Sequence, residues 1–235
     1  MSTPFASSQS NAVRKQTVLL LGGTGLVGSA CLRLLARDER VREVRQLVRR
    51  ASGAAVTGST GANRVVEHVI DYDRPDANSD VFDVDAVICA LGTTIRKAGS
   101  QAAFRKVDYD YPLRIAGIAR RHGASHFAIV TAIGADPHAR TFYSRVKGDV
   151  EDGLKKLDYP VLTIVRPSFL MGERSESRPL ESIARRVGMH LPLKWRSISV
   201  ERVARALVTE VLSGDTRGVN VIENDALHRA PPLCR

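Results

Sequence analysis

The most constraining feature of the sequence is an apolar run that leads directly into three regularly spaced glycines. Residues 18–21 are apolar, Gly22, Gly25 and Gly28 follow at intervals of three, and apolar residues then recur at helical spacing through residues 30–35. This order predicts a buried strand, a tight turn and a helix. The free N–H groups at such a helix N-terminus attract an anion, and glycines let a phosphate approach the backbone closely. The stretch is therefore a candidate pyrophosphate site.

The glycine motif does not distinguish between subclasses of dinucleotide. Gly22, Gly25 and Gly28 satisfy G-x-x-G-x-x-G, whereas Gly23, Gly25 and Gly28 satisfy G-x-G-x-x-G. A glycine-rich turn that binds nothing is the alternative, and the placement between strand and helix argues against it. The residues of this stretch that we expect to bind the cofactor are Gly22, Thr24, Gly25, Leu26, Val27 and Gly28.

Apolar runs alternate with helical patterns along the rest of the chain. Strands are predicted at residues 17–21, 43–48, 64–70, 86–90, 126–131 and 161–166, with a weaker one at 219–222. Helices are predicted at 26–36, within 101–121, at 141–156 and at 200–212, and Pro112 implies a kink or a break. Continuous apolar strands joined by helices indicate a parallel sheet covered on both faces. We therefore expect a doubly wound, mostly parallel α/β sheet of the Rossmann type.

Length favours a single domain, because 235 residues leave no room for a full second one. We expect residues 1–16 to be a flexible leader and 17–235 to form the domain. Residues 51–63 are small and polar, which predicts a surface loop. Residues 171–198, with a short helix at 180–187, are predicted to form a cap on the substrate side of the sheet, and a plain surface excursion is an equal alternative.

Composition argues against several classes of function. The net charge of +10 is carried by arginines spread along the chain, without a ribonucleoprotein motif, so nucleic-acid binding is a weak alternative. Apolar runs fall short of the ~20 residues of a membrane span, and residues 1–16 lack the apolar core of a signal peptide. Three widely spaced cysteines and six scattered histidines match no metal site. We expect a cytoplasmic chain without a metal.

A tyrosine and a lysine stand four residues apart at the start of a predicted helix, in the pattern Y-x-x-x-K. This spacing places Tyr143 and Lys147 on one helix face. An ammonium group near a phenol lowers the phenol's pKa from ~10 and can also bind a cofactor ribose. Thr131 ends the preceding strand, and its hydroxyl is expected to hold a substrate carbonyl. Tyr143, Lys147 and Thr131 are the candidate catalytic residues.

The second predicted strand ends in Arg49 and Arg50, where an NAD-selective protein usually carries an acidic residue. The planar guanidinium group suits a phosphate dianion, so this position favours NADP(H) through its 2′-phosphate. Two arginines on a solvated loop are the alternative.

The order of motifs along the chain is the glycine turn, then Thr131, then Y-x-x-x-K. The short-chain dehydrogenase/reductase superfamily has its motifs in this order, and the chain resembles that superfamily over nearly its whole length. More narrowly, it resembles the atypical branch that contains the Tat-interacting oxidoreductase-like protein. The segments that carry this second resemblance include Cys89–Thr94, Lys97–Gly99, Val107-Asp108, Lys147–Glu151, Arg166-Pro167, Glu176–Pro179 and Glu223-Asn224.

The resemblance implies roles for further residues. Asp71 would lie near the adenine, Leu91, Gly92 and Thr93 would line the adenosine side, and Arg166-Pro167 would lead the chain over the nicotinamide. Tyr143 would be the general acid/base, with Lys147 as its partner. The branch usually has serine at the end of the fifth strand, where this chain has Thr131 followed by Ala132.

These features together predict an NADPH-binding oxidoreductase that transfers hydride to a carbonyl-like acceptor. One alternative is a catalytically silent NADP(H)-sensing regulatory or interaction protein. Another is an epimerase or dehydratase acting on a sugar nucleotide, although such enzymes generally add a larger C-terminal domain. The sequence leaves the substrate open, as well as the choice between monomer and homodimer.

Overall fold

The computed structural model describes residues 14–51, 63–171, 192–213 and 217–230. Seven strands form one sheet in the order β3-β2-β1-β4-β5-β6-β9, and every neighbouring pair is parallel. These strands are β1 (Gln16–Leu21), β2 (Val41–Val48), β3 (Arg64–Val69), β4 (Ala86–Cys89), β5 (His126–Val130), β6 (Val161–Arg166) and β9 (Gly218–Glu223). The predicted single-domain, doubly wound α/β fold is confirmed.

Helices cover both faces of the sheet. They are α1 (Leu26–Leu35), α2 (Ile95–Ala98), α3 (Gln101–Arg105), α4 (Tyr111–Arg121), α5 (Phe142–Lys155), α6 (Val200–Ser213) and α7 (Asn224–Arg229). Short 3₁₀ turns lie at Pro75–Phe82 and Leu193–Trp195.

Strand β1 shows why the sequence lacks a polar/apolar alternation in its strands. Val18 and Leu20 are buried in the core that α1 and α6 cover, whereas Leu19 and Leu21 are buried in the core beneath α4 and α5. All four side chains have no exposed surface. A strand between two helical layers needs apolar residues at every position, which explains the continuous apolar runs of the sequence.

Pro112 does not interrupt the helical path between α3 and α4. The residues between these helices, Lys106–Asp110, form a π-helical turn, and Pro112 lies in the first turn of α4. A proline lacks an N–H group, and its ring clashes with the carbonyl four residues earlier, which here belongs to Asp108. A wider turn before the proline accommodates both effects, so the expected kink or break takes the form of a π turn.

Several sequence-based expectations fall outside the described residues. They concern most of the leader, nearly all of the 51–63 loop and the short helix at 180–187. Of the expected cap, the structure describes only the two ends, where β7 (Leu170–Met171) pairs in parallel with β8 (Ile198–Ser199).

No helix within the described ranges is long and apolar enough to cross a bilayer.

His126 is a buried polar residue at the start of β5. Its Nε2 atom lies 3.0 Å from Oγ1 of Thr163 on the neighbouring strand β6, and the residue is 5% exposed. Burial lowers the pKa of His126 from its ordinary 6.5 to about 4, because the charged imidazolium loses its hydration. The native state therefore holds this histidine neutral at a pH where the unfolded chain binds a proton.

Replacing His126 by glutamine is expected to flatten the acid limb of the stability curve. In the wild type, the contribution of the neutral His126 to the free energy of unfolding is complete above about pH 6.5. As the pH falls toward about 4, the free energy of unfolding decreases by about 2–3 kcal/mol through this residue. Urea titrations between pH 4 and 7 measure the difference between His126→Gln and the wild type. His138→Gln, at an exposed position, serves as the control. A constant difference between wild type and His126→Gln across this range would contradict the prediction.

Candidate active site

The glycine turn after β1 forms a cradle with no room for side chains. Gly22 has a φ of +79°, and a Cβ there would lie 2.6 Å from the carbonyl oxygen of Ala90. A Cβ on Gly28 would lie 2.0 Å from the carbonyl oxygen of Gly22, so helix α1 starts in direct contact with the turn. Both contacts involve backbone atoms that cannot rotate away, and this explains why glycine is needed at both positions.

The N-terminus of α1 has no side-chain cap, in contrast to those of α2, α3 and α5. Gly25 is its N-cap residue and provides no side-chain hydrogen bond, and the first turn contains no acidic residue. Side-chain oxygens of Thr94, Ser100 and Thr141 cap α2, α3 and α5. Strand β1 lies between β2 and β4, where the order of the sheet reverses and where such folds bind their ligands. The cradle and the uncapped amides fit the pyrophosphate of a dinucleotide.

The other predicted cofactor residues follow the ends of successive strands. Arg49 and Arg50 are exposed after β2, and among the described residues neither takes part in an ion pair. Asp71 is exposed after β3 and accepts a hydrogen bond from the N–H of Asp73 (2.8 Å). Residues 91–93 follow β4 and are half-buried or exposed. Because the strands are parallel, all of these positions lie at the edge of the sheet that also carries the glycine turn.

Tyr143 and Lys147 lie on the same face of α5 but differ strongly in exposure. Tyr143 is 39% exposed, and its ring contacts the buried ring of Phe104 on α3 with 5.7 Å between centroids. Lys147 is 5% exposed, and its Nζ atom lies 5.9 Å from the centroid of the tyrosine ring. The structure thus places an accessible phenol and a buried ammonium group on one face of α5; the Y-x-x-x-K spacing predicts the shared face but not the difference in burial.

Lys147 is paired with an acidic residue from the π turn. Its Nζ atom lies 2.7 Å from Oδ1 of Asp108, whose side chain is 1% exposed. Burial is the largest single influence on the pKa of Lys147 and lowers it, but the Asp108 carboxylate, together with Tyr143 and Cys89, raises it above its ordinary value. Lys147 is therefore charged at neutral pH. The other carboxylate oxygen of Asp108 accepts a hydrogen bond from the backbone N–H of Thr93 (3.0 Å).

The predicted role of Thr131 does not agree with its geometry. Thr131 is 4% exposed, and its hydroxyl donates to Oε1 of Glu151 over 2.7 Å. Glu151 is itself buried and forms an ion pair with Arg166, which also bonds Glu223 over 2.9 Å. The Thr131 hydroxyl, which was expected to hold a substrate carbonyl, is thus engaged with the Arg166 guanidinium in a network between α5 and the ends of β5, β6 and β9.

Two residues of this region escaped the sequence analysis as functional candidates. Asp108 and Glu151 are buried acids, and each is paired with a basic residue that the analysis did select, Lys147 and Arg166. A signal was present for Glu151, which stands four residues after Lys147 and eight after Tyr143, and so lies on the same helix face. Asp108 lies in one of the segments that carry the family resemblance, but its position in a predicted helix gave no sign that it pairs with Lys147.

Comparisons with known proteins agree with this architecture. The sequence profile of the NAD(P)H-binding family matches residues 22–213. Protein HTATIP2 from Rattus norvegicus is 32% identical over 92% of this chain and 89% of its own length. Protein fmp52, mitochondrial, from Emericella nidulans is 33% identical over 72% of each chain. The Bordetella bronchiseptica enzyme WbmG, solved in complex with NAD, superposes with a TM-score of 0.67 at 14% identity, covering 92% of this chain and 75% of that one. This last likeness concerns the fold alone.

The expectation of a cytoplasmic location is contradicted by these comparisons. Fungal relatives from Emericella nidulans, Candida albicans and Coccidioides immitis are all named as mitochondrial proteins. The expectation rested on the lack of a signal-peptide core in residues 1–16, a feature that bears on export and not on transport into an organelle.

The profile match and the similarity to HTATIP2 both extend over most of the chain, and they agree with a glycine cradle at the reversal point of a parallel sheet. The resemblance to the branch of the Tat-interacting protein is confirmed. The chain has a Rossmann-type fold and belongs to the NAD(P)H-binding family.

Proposed function

We propose that the protein is an NADPH-dependent oxidoreductase that reduces a carbonyl-like acceptor. The observation that supports this most directly is the accessible Tyr143 phenol beside the buried, charged Lys147. Both residues lie on α5, which follows β5 at the same sheet edge as the glycine cradle. A proton donor, a fixed positive charge and a dinucleotide cradle are the parts that a carbonyl reductase needs.

Each part of the cofactor has candidate partners in the chain. The uncapped amides of α1, with the turn around Gly22 and Gly25, would hold the pyrophosphate. Asp71 and residues 91–93 would line the adenosine side, Lys147 would contact the nicotinamide ribose, and Pro167 would lie over the nicotinamide. When bound, the reduced cofactor supplies a hydride to the acceptor carbon.

Tyr143 would donate its hydroxyl proton to the acceptor oxygen as negative charge develops there. The ammonium of Lys147 stabilises the phenolate that remains, because opposite charges attract strongly where water is excluded. Phe104 supports the tyrosine ring from α3. The chain thereby provides the acid and the charge that stabilises its conjugate base.

The preference for NADPH rests on Arg49 and Arg50. Both are exposed at the end of β2, at the position where an acidic residue would bind the ribose hydroxyls of NAD. A guanidinium group forms paired, charge-assisted hydrogen bonds with a phosphate. An arginine here attracts the 2′-phosphate of NADPH and gains nothing comparable from NADH.

One observation favours a second candidate, a cofactor-binding regulatory protein without turnover. The Thr131 hydroxyl, which would orient a substrate carbonyl, is held by Glu151. A chain that keeps the cradle and lacks this hydroxyl would bind NADP(H) and react slowly or not at all. Turnover measurements on Tyr143 variants separate the two candidates.

Replacing both Arg49 and Arg50 by alanine is expected to weaken NADPH binding by about 10- to 100-fold and to leave NADH binding unchanged. The reason is that only NADPH has a 2′-phosphate that loses charge-assisted hydrogen bonds. Fluorescence titration with each cofactor measures this difference. Arg229→Ala removes another exposed arginine, on α7, and should change neither affinity. Equal affinities of the wild type for NADH and NADPH, or a double variant with unaltered NADPH affinity, would refute the proposed preference.

Tyr143→Phe is expected to lower turnover by ~10²–10⁴ while NADPH affinity stays near that of the wild type, because it removes the proton donor and little volume. Lys147→Ala should weaken both binding and turnover. NADPH oxidation is followed with a panel of aldehydes, ketones and quinones, beside a binding titration for each protein.

Tyr111→Phe is the matched control. Tyr111 begins α4, and its hydroxyl lies 3.4 Å from Oδ1 of Asp73. The turnover of this variant should equal that of the wild type. If the wild type binds NADPH tightly but none of the tested acceptors supports NADPH oxidation, the reductase proposal is contradicted and the regulatory one is supported.

A further inference from the structure

Asp108 is an acid in the protein interior that the proposed chemistry does not by itself require. It is 2% exposed, and it lies in the middle of the π turn at Lys106–Asp110. A buried carboxylate costs several kcal/mol in lost hydration unless it is paired and hydrogen-bonded. Its presence in the core therefore needs an explanation in terms of its partners.

The π turn sets the position of this carboxylate. A regular α-helix would have to break or kink before Pro112, because the proline ring clashes with the carbonyl of Asp108. The chain adopts the wider turn at this point and continues directly into α4. Asp108 is thereby held between α5 and the loop that follows β4, and isolated π turns of this kind often occur at functional sites.

The two oxygens of Asp108 bind two different parts of the candidate site. Oδ1 lies 2.7 Å from Nζ of Lys147 on α5, and Oδ2 accepts the N–H of Thr93 over 3.0 Å. Thr93 belongs to the loop after β4, which is the proposed adenosine side of the cofactor site. One carboxylate therefore connects the lysine of Y-x-x-x-K with the loop that would contact the cofactor.

Among the groups that face the Lys147 ammonium, the Asp108 carboxylate contributes most to keeping it charged. The other titratable groups that face it are the phenol of Tyr143 on the same helix and the thiol of Cys89 at the end of β4. Burial raises the pKa of Cys89 to about 12, so the thiol is uncharged at neutral pH. Among the groups that face the ammonium in the described part of the chain, Asp108 supplies the negative charge.

We propose that Asp108 is a positioning residue that keeps the Lys147 ammonium charged and fixes it relative to the cofactor loop. The importance of this for catalysis rests on the proposed reductase function, whereas its effect on the charge of Lys147 does not. Without the carboxylate, the buried ammonium would lose its proton at a lower pH. Lys147 would then neither stabilise a phenolate nor hold a ribose in the same way.

The direct test measures the titration of Lys147 by NMR. The chain contains only seven lysines, so ¹³Cε resonances of labelled lysine can be assigned by single substitutions. The wild type is expected to show a Lys147 titration above the ordinary lysine range. In Asp108→Asn, the midpoint should fall to about one pH unit below the ordinary 10.5, because burial is the largest influence on this pKa and is then opposed only by Tyr143 and Cys89. Asp149→Asn breaks a different ion pair of α5, with Arg105, and should leave the Lys147 midpoint unchanged.

A second measurement follows NADPH affinity between pH 7 and 10. In the wild type, Lys147 stays charged across this range and should add little pH dependence to NADPH binding. In Asp108→Asn, the NADPH affinity should fall by about tenfold for each pH unit above the lowered midpoint of Lys147. Asp149→Asn should behave as the wild type does.

These outcomes separate the inference from the proposed function. A shifted Lys147 midpoint in Asp108→Asn supports the inference even if no acceptor is reduced. An unshifted midpoint overturns it even if the wild type is an active reductase. Should Asp108→Asn fail to fold, the wild-type titration still decides, because a Lys147 midpoint at or below the ordinary lysine value contradicts the proposed role of Asp108.

Discussion

The contact between the glycine turn and helix α1 is the constraint on which the rest of the site depends. The first turn of the helix lies so close to Gly22 that even one methyl group on Gly28 would overlap its carbonyl. This contact directs the amides at the start of α1 across the end of β1, where the order of the sheet reverses. Since no side chain caps these amides, an anionic ligand is their natural partner. The positions of the other site residues follow from their strands ending at the same edge.

Helix α5 is fixed against the sheet by one buried ion pair, Lys147–Asp108, and by a second, Glu151–Arg166, whose arginine is partly exposed. Tyr143, Lys147 and Glu151 repeat every four residues on one face, and the two charged residues meet Asp108 and Arg166. Breaking a buried pair from one side costs about 3–5 kcal/mol, so these pairs strongly disfavour other rotations of the helix. The tyrosine is held at the exposed end of this face. The same interactions that place Tyr143 at the sheet edge also keep a positive charge beside it.

The sequence predicts the strands, the main helices and the family well, because buried parallel strands and a glycine turn leave local patterns. It predicts the surroundings of the catalytic candidates less well. The π turn before Pro112 is one of several ways to accommodate a proline, so the partner of Lys147 could not be inferred. The sequence predicts correctly that Thr131 lies at the end of the fifth strand. It does not predict that the Thr131 hydroxyl bonds Glu151, which lies on α5, twenty residues further along the chain. Pairings of this kind depend on how elements pack, which periodicity does not encode.

The most direct test of the account is to follow the backbone amides at the start of α1 during titration with NADPH and, separately, with inorganic pyrophosphate. Two-dimensional ¹⁵N–¹H NMR of the full chain gives the shift of each amide. If these amides hold the pyrophosphate, the amides of residues 25–28 shift saturably with both ligands, and NADPH binds at one site per chain. Saturable NADPH binding that leaves these amides unshifted, or no binding by a folded chain, would contradict this account.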